Sequence, residues 1–173
     1  MLPLPGPRDR RPRRVAARLD RQTSRVAASR GDHELFATAL LLEHRADRPA
    51  VEVVNCGHLA PLAVGPSGAR EVAVPSLLPL GFGALGADAP TPRQLPLVDG
   101  ESLLLYTDGL TEARNASGEF YPAADRVTTH PCESPAELLA FLDHDVRDWT
   151  HHLADDVALI ALTRAETAPL LAA

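Results

Sequence analysis

Two apolar runs in this chain are tied to aspartates at their ends. Ser102-Leu103-Leu104-Leu105-Tyr106-Thr107 stops at Asp108-Gly109, and Val157 to Leu162 begins directly behind Asp155-Asp156. A short continuous apolar run bounded by turn signals reads as a strand buried on both faces. A chain holding two of them has to build covered layers around a sheet, and rigid strand backbone then fixes the carboxylates at its ends. A hard cation needs that arrangement, because Mg²⁺ or Ca²⁺ draws oxygen ligands from separate segments to within about 2–2.6 Å. The same residues have plainer readings. Asp-Gly is a common turn dipeptide, and paired aspartates often cap a strand or face solvent.

Around these runs the pattern is mixed. Val15, Leu19 and Val26 recur among arginines and predict an amphipathic helix over 13–28, with Gly31 suited to cap it. The Pro- and Arg-rich residues 1–12 read as a disordered lead-in, 165–173 as a tail, and 13–164 as one domain. Leu35 to His44 reads as a strand, with Val51 to Val54 as its hairpin partner. Gly65-Pro66-Ser67-Gly68 is a turn between Pro61 to Val64 and Arg70 to Val74. Residues 75–96 are dense in Pro and Gly and are expected to be largely irregular. Glu112 to Asn115 opens into a polar turn through Gly118. Ser134-Pro135-Ala136-Glu137 carries the start signature of a helix whose apolar face holds Leu138, Leu139, Leu142 and Val146. Antiparallel pairs with peripheral helices make the expected class α+β.

Composition narrows the function. The chain has 173 residues, enough for one domain with a real core. Aromatics are only 4%, so that core must rest on Leu, Val, Ile and Ala. A net charge of −6 gives no basic footprint for nucleic acid. No apolar run approaches the ~20 residues of a membrane span. The N-terminus has its apolar residues before its basic ones, the reverse of a signal peptide, so the cytoplasm is the expected compartment. Cys56 and Cys132 lie far apart and read as buried, reduced thiols. Cys56 has no evident base to make it a nucleophile. Asn55-Cys56-Gly57-His58 reads as a turn whose histidine hydrogen-bonds backbone, with a base or ligand role for His58 as the alternative. His151-His152 invites a zinc reading, but adjacent side chains splay apart.

The order of the motifs is more specific than any one of them. Val53-Val54-Asn55-Cys56-Gly57-His58-Leu59-Ala60-Pro61-Leu62 resembles the N-A-G-H-x-x-P-L segment of bacterial PPM-type phosphatases. These are the protein phosphatase 2C-like enzymes, here in the stage II sporulation and stress-response branch. Leu78-Pro79-Leu80-Gly81 is similar to the family's P-L-G loop. Gly100 to Asn115, with Leu103-Leu104-Leu105-Tyr106-Thr107-Asp108-Gly109-Leu110-Thr111-Glu112-Ala113-Arg114 inside it, is nearly a full copy of the family's G-D-x-L-L-L-Y-T-D-G-V-T-E-A-R signature. Ala154-Asp155-Asp156-Val157-Ala158-Leu159 resembles its closing D-D-x-T-L strand.

The resemblance implies a β-sandwich flanked by helices, with two Mn²⁺ or Mg²⁺ ions at one end. It places metal-binding aspartates at Asp108 and Asp155, with Asp156 as the neighbouring position and Gly109 passing its backbone close to the metals. The implied reaction is hydrolysis of phosphoserine or phosphothreonine by metal-bound water, on a phosphoprotein such as an anti-sigma-factor antagonist. The family also carries an earlier G-D-V-x-G-K/H-G motif whose aspartate bridges both metals. Nothing in Met1 to Asp32 matches it. The chain is therefore expected to be an N-terminally truncated copy, a fragment or half of a split protein, missing the first strands of the sandwich. The alternative to catalysis is a non-catalytic binding module that engages a partner of the same pathway.

Overall fold

A computed structural model describes residues 11–32, 34–45, 48–86, 92–150 and 152–164. Contacts divide the chain into two compact units, one of Met1–Ala60 with Ala73–Pro96 and one of Pro61–Val72 with Leu97–Ala173.

The first unit is one sheet and one long helix. Strand β2 (Ala50–Cys56) lies between β1 (Ala39–His44) and β6 (Arg93–Pro96), antiparallel to both, and the two-residue β5 (Ser76–Leu77) runs parallel to its C-terminal end. The β1–β2 register runs from Ala39 opposite Cys56 to His44 opposite Val51, as the hairpin reading requires. Covered by neighbours on both edges, β2 is buried throughout Val51 to Cys56. Helix α1 (Arg11–Arg30) seats Ala16 against Val54, Cys56 and Leu80. Its end is a Schellman cap. Gly31 has φ +65, its amide donates to the Ala28 carbonyl at 3.3 Å, and the Asp32 amide donates to Ala27 at 3.0 Å.

The second unit is a sheet ordered β4-β3-β7-β8, covered by helices. Strands β3 (Leu62–Gly65) and β4 (Gly68–Glu71) form the expected hairpin, with Pro66-Ser67 at its tip and Gly68 at φ +103. Strand β7 (Ser102–Tyr106) sits between β3 and β8 (Leu159–Thr163). Leu104 is fully buried in a core shared with Leu62, Tyr106, Leu110, Tyr121 and Val127. Helix α4 (Pro135–Trp149) closes that core with Leu138, Leu142 and Val146. The Ser134 hydroxyl accepts the Glu137 amide at 3.1 Å, and the Glu137 carboxylate accepts the Glu133 amide at 2.8 Å. Among the described residues no helix is long and apolar enough to cross a membrane.

Several boundaries differ from the sequence reading. Helix α1 extends two residues further at each end, and Arg11 and Pro12 belong to it rather than to a lead-in. Pro12 lies in the first turn, where its missing amide hydrogen costs nothing. Strand β1 begins at Ala39 rather than Leu35, and Phe36 instead lies half-exposed beside Phe82, ring centroids 5.3 Å apart. Strand β8 begins at Leu159, because the Ala158 amide ahead of it goes to the Thr107 hydroxyl, and it is an edge strand with Ile160 half-exposed rather than one buried on both faces. Arg93–Pro96 is a strand and not part of an irregular loop. Only Leu95 of its four residues is buried, so it carries no periodic signal, and the free edge of β2 supplies its pairing. Cys132 is half-buried rather than buried.

Candidate metal centre

The site begins where β7 runs out. Tyr106 is the last buried residue of the strand, and Thr107 continues in extended backbone at φ −82, ψ 161. Asp108 then opens the single-turn helix α2 (Asp108–Thr111). That turn is anchored by the fully buried Leu110 and closed by the Glu112 amide donating to the Asp108 carbonyl at 2.8 Å. Asp108 Oδ1 accepts the Gly109 amide at 3.1 Å. Its carboxylate therefore stands on a short, pinned turn.

Thr107 joins this turn to the approach of β8. Its amide donates to the Ala158 carbonyl at 3.1 Å. Its hydroxyl donates to the Asp156 carbonyl at 3.0 Å and accepts the Ala158 amide at 2.9 Å. These three bonds hold Asp155-Asp156 beside Asp108-Gly109. The approach is so close that a Cβ on Gly109 would lie 2.4 Å from the Asp156 carbonyl oxygen and 3.3 Å from the Asp155 carbonyl carbon. Gly109 has no positive φ, so it is glycine for want of space and not for backbone conformation. Asp155 Oδ1 accepts the Asp156 amide at 2.7 Å. Asp108, Asp155 and Asp156 are all exposed, so two touching backbone segments present three solvated carboxylates. A groove of about 470 Å³ runs along Arg147 and Leu153 to Val157 on the β8 side.

Among the described residues no group of three or more His, Cys, Asp or Glu side chains is placed to hold a metal ion. The structure thus brings the expected segments into contact, while a closed ligand cage is not formed from the described residues.

The other motifs make backbone contacts that shape their loops. Asn55, 2% exposed, donates to the His58 carbonyl at 2.9 Å and accepts the His58 amide at 2.8 Å, so it staples the turn that follows β2. His58 Nδ1 lies 3.1 Å from the Leu59 carbonyl, a backbone contact of the kind expected for a turn histidine. Gly57, at φ +72, leaves room for Pro79, whose Cγ would sit 2.7 Å from a Cβ there. The P-L-G loop is gripped from α1. Asp20 Oδ1 accepts the amides of Gly81 at 2.8 Å and Gly83 at 3.0 Å, and Ser24 donates to the Gly81 carbonyl at 3.2 Å. Burial pushes the Cys56 thiol above its ordinary range, with the charge of Asp20 adding to the effect, and burial does the same for Cys132. A thiolate is correspondingly scarce at either position. His151 lies outside the described residues, and His152 is exposed.

Two sets of residues escaped the sequence reading. Thr107 stands inside the signature, yet its clasp is invisible until Asp156 and Ala158 are beside it. Asp145 of α4 accepts from Tyr121 Oη at 2.6 Å and from Arg126 Nε at 2.7 Å, and Arg126 also pairs with its second oxygen. The hydrogen bond from Arg126 holds the Asp145 carboxyl below the usual carboxylate range despite its burial. Burial and the bond to Asp145 push the Tyr121 hydroxyl well above its ordinary range. Helix α3 (Ala123–Thr129), which carries Arg126, had no clear periodic signal.

The two sheets, their flanking helices and the aspartate-bearing strand ends define a protein phosphatase 2C-type fold. The phosphatase domain of SpoIIE from Bacillus subtilis, presoaked in Mn, superposes with a TM-score of 0.60 at 11% identity, covering 98% of this chain and 79% of that one. The catalytic domain of the serine threonine protein phosphatase PstP, in complex with two manganese ions, gives 0.60 at 12%, covering 82% and 65%. The RsbU and RsbW domains of a Mycobacterium tuberculosis protein give 0.51 at 22%, covering 85% and 46%. A search of curated proteins finds no match. Residues 6–165 match the family model of stage II sporulation protein E (SpoIIE), and the chain belongs to that family of PPM-type protein phosphatases.

Proposed function

We propose that the chain acts in hydrolysis of phosphoserine or phosphothreonine on a regulatory phosphoprotein, from a metal centre founded on Asp108, Gly109, Asp155 and Asp156. The observation that carries this reading is the contact of Gly109 with the Asp156 carbonyl, locked by the Thr107 clasp. It sets two aspartate-bearing segments side by side on backbone that cannot drift. The residues present suit one hydrated Mn²⁺ or Mg²⁺, since such ions accept one or two carboxylates and keep several waters. When bound, the ion supplies an acidic water and neutralises phosphoryl charge. The chain's own part is to fix Asp108 and Asp155 at strand ends and to keep side-chain bulk out at Gly109. The cytoplasm is the compartment proposed for this reaction. The manganese-soaked and manganese-bound neighbours favour Mn²⁺. The neighbour that joins RsbU and RsbW domains makes an anti-sigma-factor antagonist the substrate to test first.

A second reading, a binding module without turnover, is favoured by the absence of any three-ligand cluster among the described residues. Calorimetric titration with Mn²⁺ separates the cases when it is paired with p-nitrophenyl phosphate turnover, measured with and without an added segment bearing G-D-V-x-G. The proposal expects Mn²⁺ binding that weakens by roughly tenfold or more in Asp108→Asn, and turnover that rises when the segment is supplied. Mn²⁺ binding indifferent to both Asp108→Asn and Asp155→Asn would refute the site. Binding without turnover under every condition would establish the module.

A further inference from the structure

The charge of α1 is out of keeping with the rest of the molecule. The chain has no lysine, and α1 holds seven arginines against one aspartate. The whole chain is at −6, so the residues outside α1 carry the difference, a formal −12. Asp20, the single acid of the helix, is already taken by the Gly81 and Gly83 amides.

The arginines are also arranged. Arg11, Arg14, Arg18, Arg21 and Arg25 alternate in steps of three and four, and all five are exposed. At about 100° per residue they fall within an arc of about 80°, and the stripe runs about 21 Å along the helix. The residues that face the unit's core, Pro12, Ala16, Leu19, Thr23 and Ala27, centre on the opposite side. Among the described residues none of the five makes an ion pair. Like charges three and four apart repel along a helix. Arg11, Arg13 and Arg14 also crowd the first turn, where the helix dipole favours anions and where no acid is present. Repulsion along the stripe and a first turn without an acid would both be relieved by an external line of negative charge.

We propose that this face of α1 is a docking surface for an acidic α-helical protein segment, one whose Asp and Glu recur at the same three- and four-residue spacing. Arginine's planar fork meets carboxylates two bonds at a time, which a spaced row of Asp and Glu can exploit. A membrane surface fits less well. A helix lying on lipid needs its apolar face free, and here that face is spent on the first unit's core, leaving only Val15 and Val26 partly exposed beside the stripe. A long nucleic acid fits less well because the residues outside α1 carry a formal −12.

The test uses the full chain and four probes, with affinity read by fluorescence anisotropy or co-sedimentation. The first is an alanine-based helical peptide with glutamates at alternating three- and four-residue spacing, and the second has the same composition with the glutamates scrambled. The third is a DNA duplex of similar length, and the fourth a phosphatidylserine vesicle. The spaced peptide is expected to bind more tightly than the other three and to weaken as salt rises. It should lose roughly tenfold in affinity when Arg14, Arg18 and Arg21 are replaced together by Gln. Circular dichroism should show the variant still folded, because the three side chains point away from the core. Arg30→Gln, off the stripe, serves as the control and should leave binding unchanged. Equal binding of spaced and scrambled peptides would reduce the stripe to bulk charge and overturn the proposal. Tighter binding of the duplex or the vesicle, or no loss in the triple variant, would overturn it as well.

Discussion

Replacing Gly109 by alanine tests the candidate site through a single methyl group. The backbone there has no positive φ, so alanine is conformationally admissible and on that ground alone would stabilise by about 0.4–1 kcal/mol through the unfolded chain. Space decides otherwise. The new Cβ would stand 2.4 Å from the Asp156 carbonyl oxygen, close to 1 Å inside ordinary contact, and 2.9 Å from the carbonyl carbon behind it. The obstacle is main chain held by the Thr107 hydroxyl, so it cannot swing aside as a side chain would. Overpacking of this kind costs about 1–3 kcal/mol, leaving a net loss of about 1.3 kcal/mol at mid-range once the entropic gain is set against it. For a chain of this length that lowers Tm by roughly 3–5 °C. Relief of the clash must push Asp155-Asp156 away from Asp108, so Mn²⁺ affinity should fall further than stability does. Thermal melts and calorimetric Mn²⁺ titration on one preparation read both quantities. Gly118→Ala is the control, strained by its φ of +82 but with open space around its Cβ, and it should cost stability without touching Mn²⁺ binding. A Gly109→Ala protein as stable as the parent, or a destabilised one with unchanged Mn²⁺ affinity, would refute the packing argument.

Asp145→Asn removes the acceptor charge shared by Arg126 and Tyr121, and should cost about 1–2 kcal/mol after discounting for the partial exposure of Arg126. Because the Asp145 carboxyl is depressed in the folded state, the parent keeps this stability above the ordinary Asp pKa and loses it as pH falls through the lower folded value. Urea unfolding across the acid range should therefore show a shallower pH slope in the variant, and an identical slope would count against the network. Ser134→Ala removes the hydroxyl that caps α4 and should cost about 1 kcal/mol in the same assay without altering Mn²⁺ binding.

Local physics was enough to read a good part of this protein from its sequence. The Schellman cap at Gly31, the hairpin around Pro66-Ser67 and the start of α4 at Ser134 all depend on residues within one turn of each other. The apolar runs that became β2 and β7 are legible because a strand covered on both faces needs no alternation, whereas β8, an edge strand with Ile160 half-exposed, was legible only as a short apolar run. Motif order carried the family, and with it the expectation that Asp108 and Asp155 belong to one site. What the sequence could not set was anything made by two distant segments. Arg93–Pro96 is a strand only because β2 offers it an edge, and its own four residues are too few to show a period. Asp20 looks like a stray acid among arginines until Gly81 and Gly83 bring it their amides, from sixty residues away. Tyr121, Arg126 and Asp145 become a network only when α3 packs on α4. Gly109 reads in sequence as half of a turn dipeptide. In the fold it is the point where the Asp156 carbonyl leaves no room for a side chain, and only the pairing of β7 with β8 brings that carbonyl there.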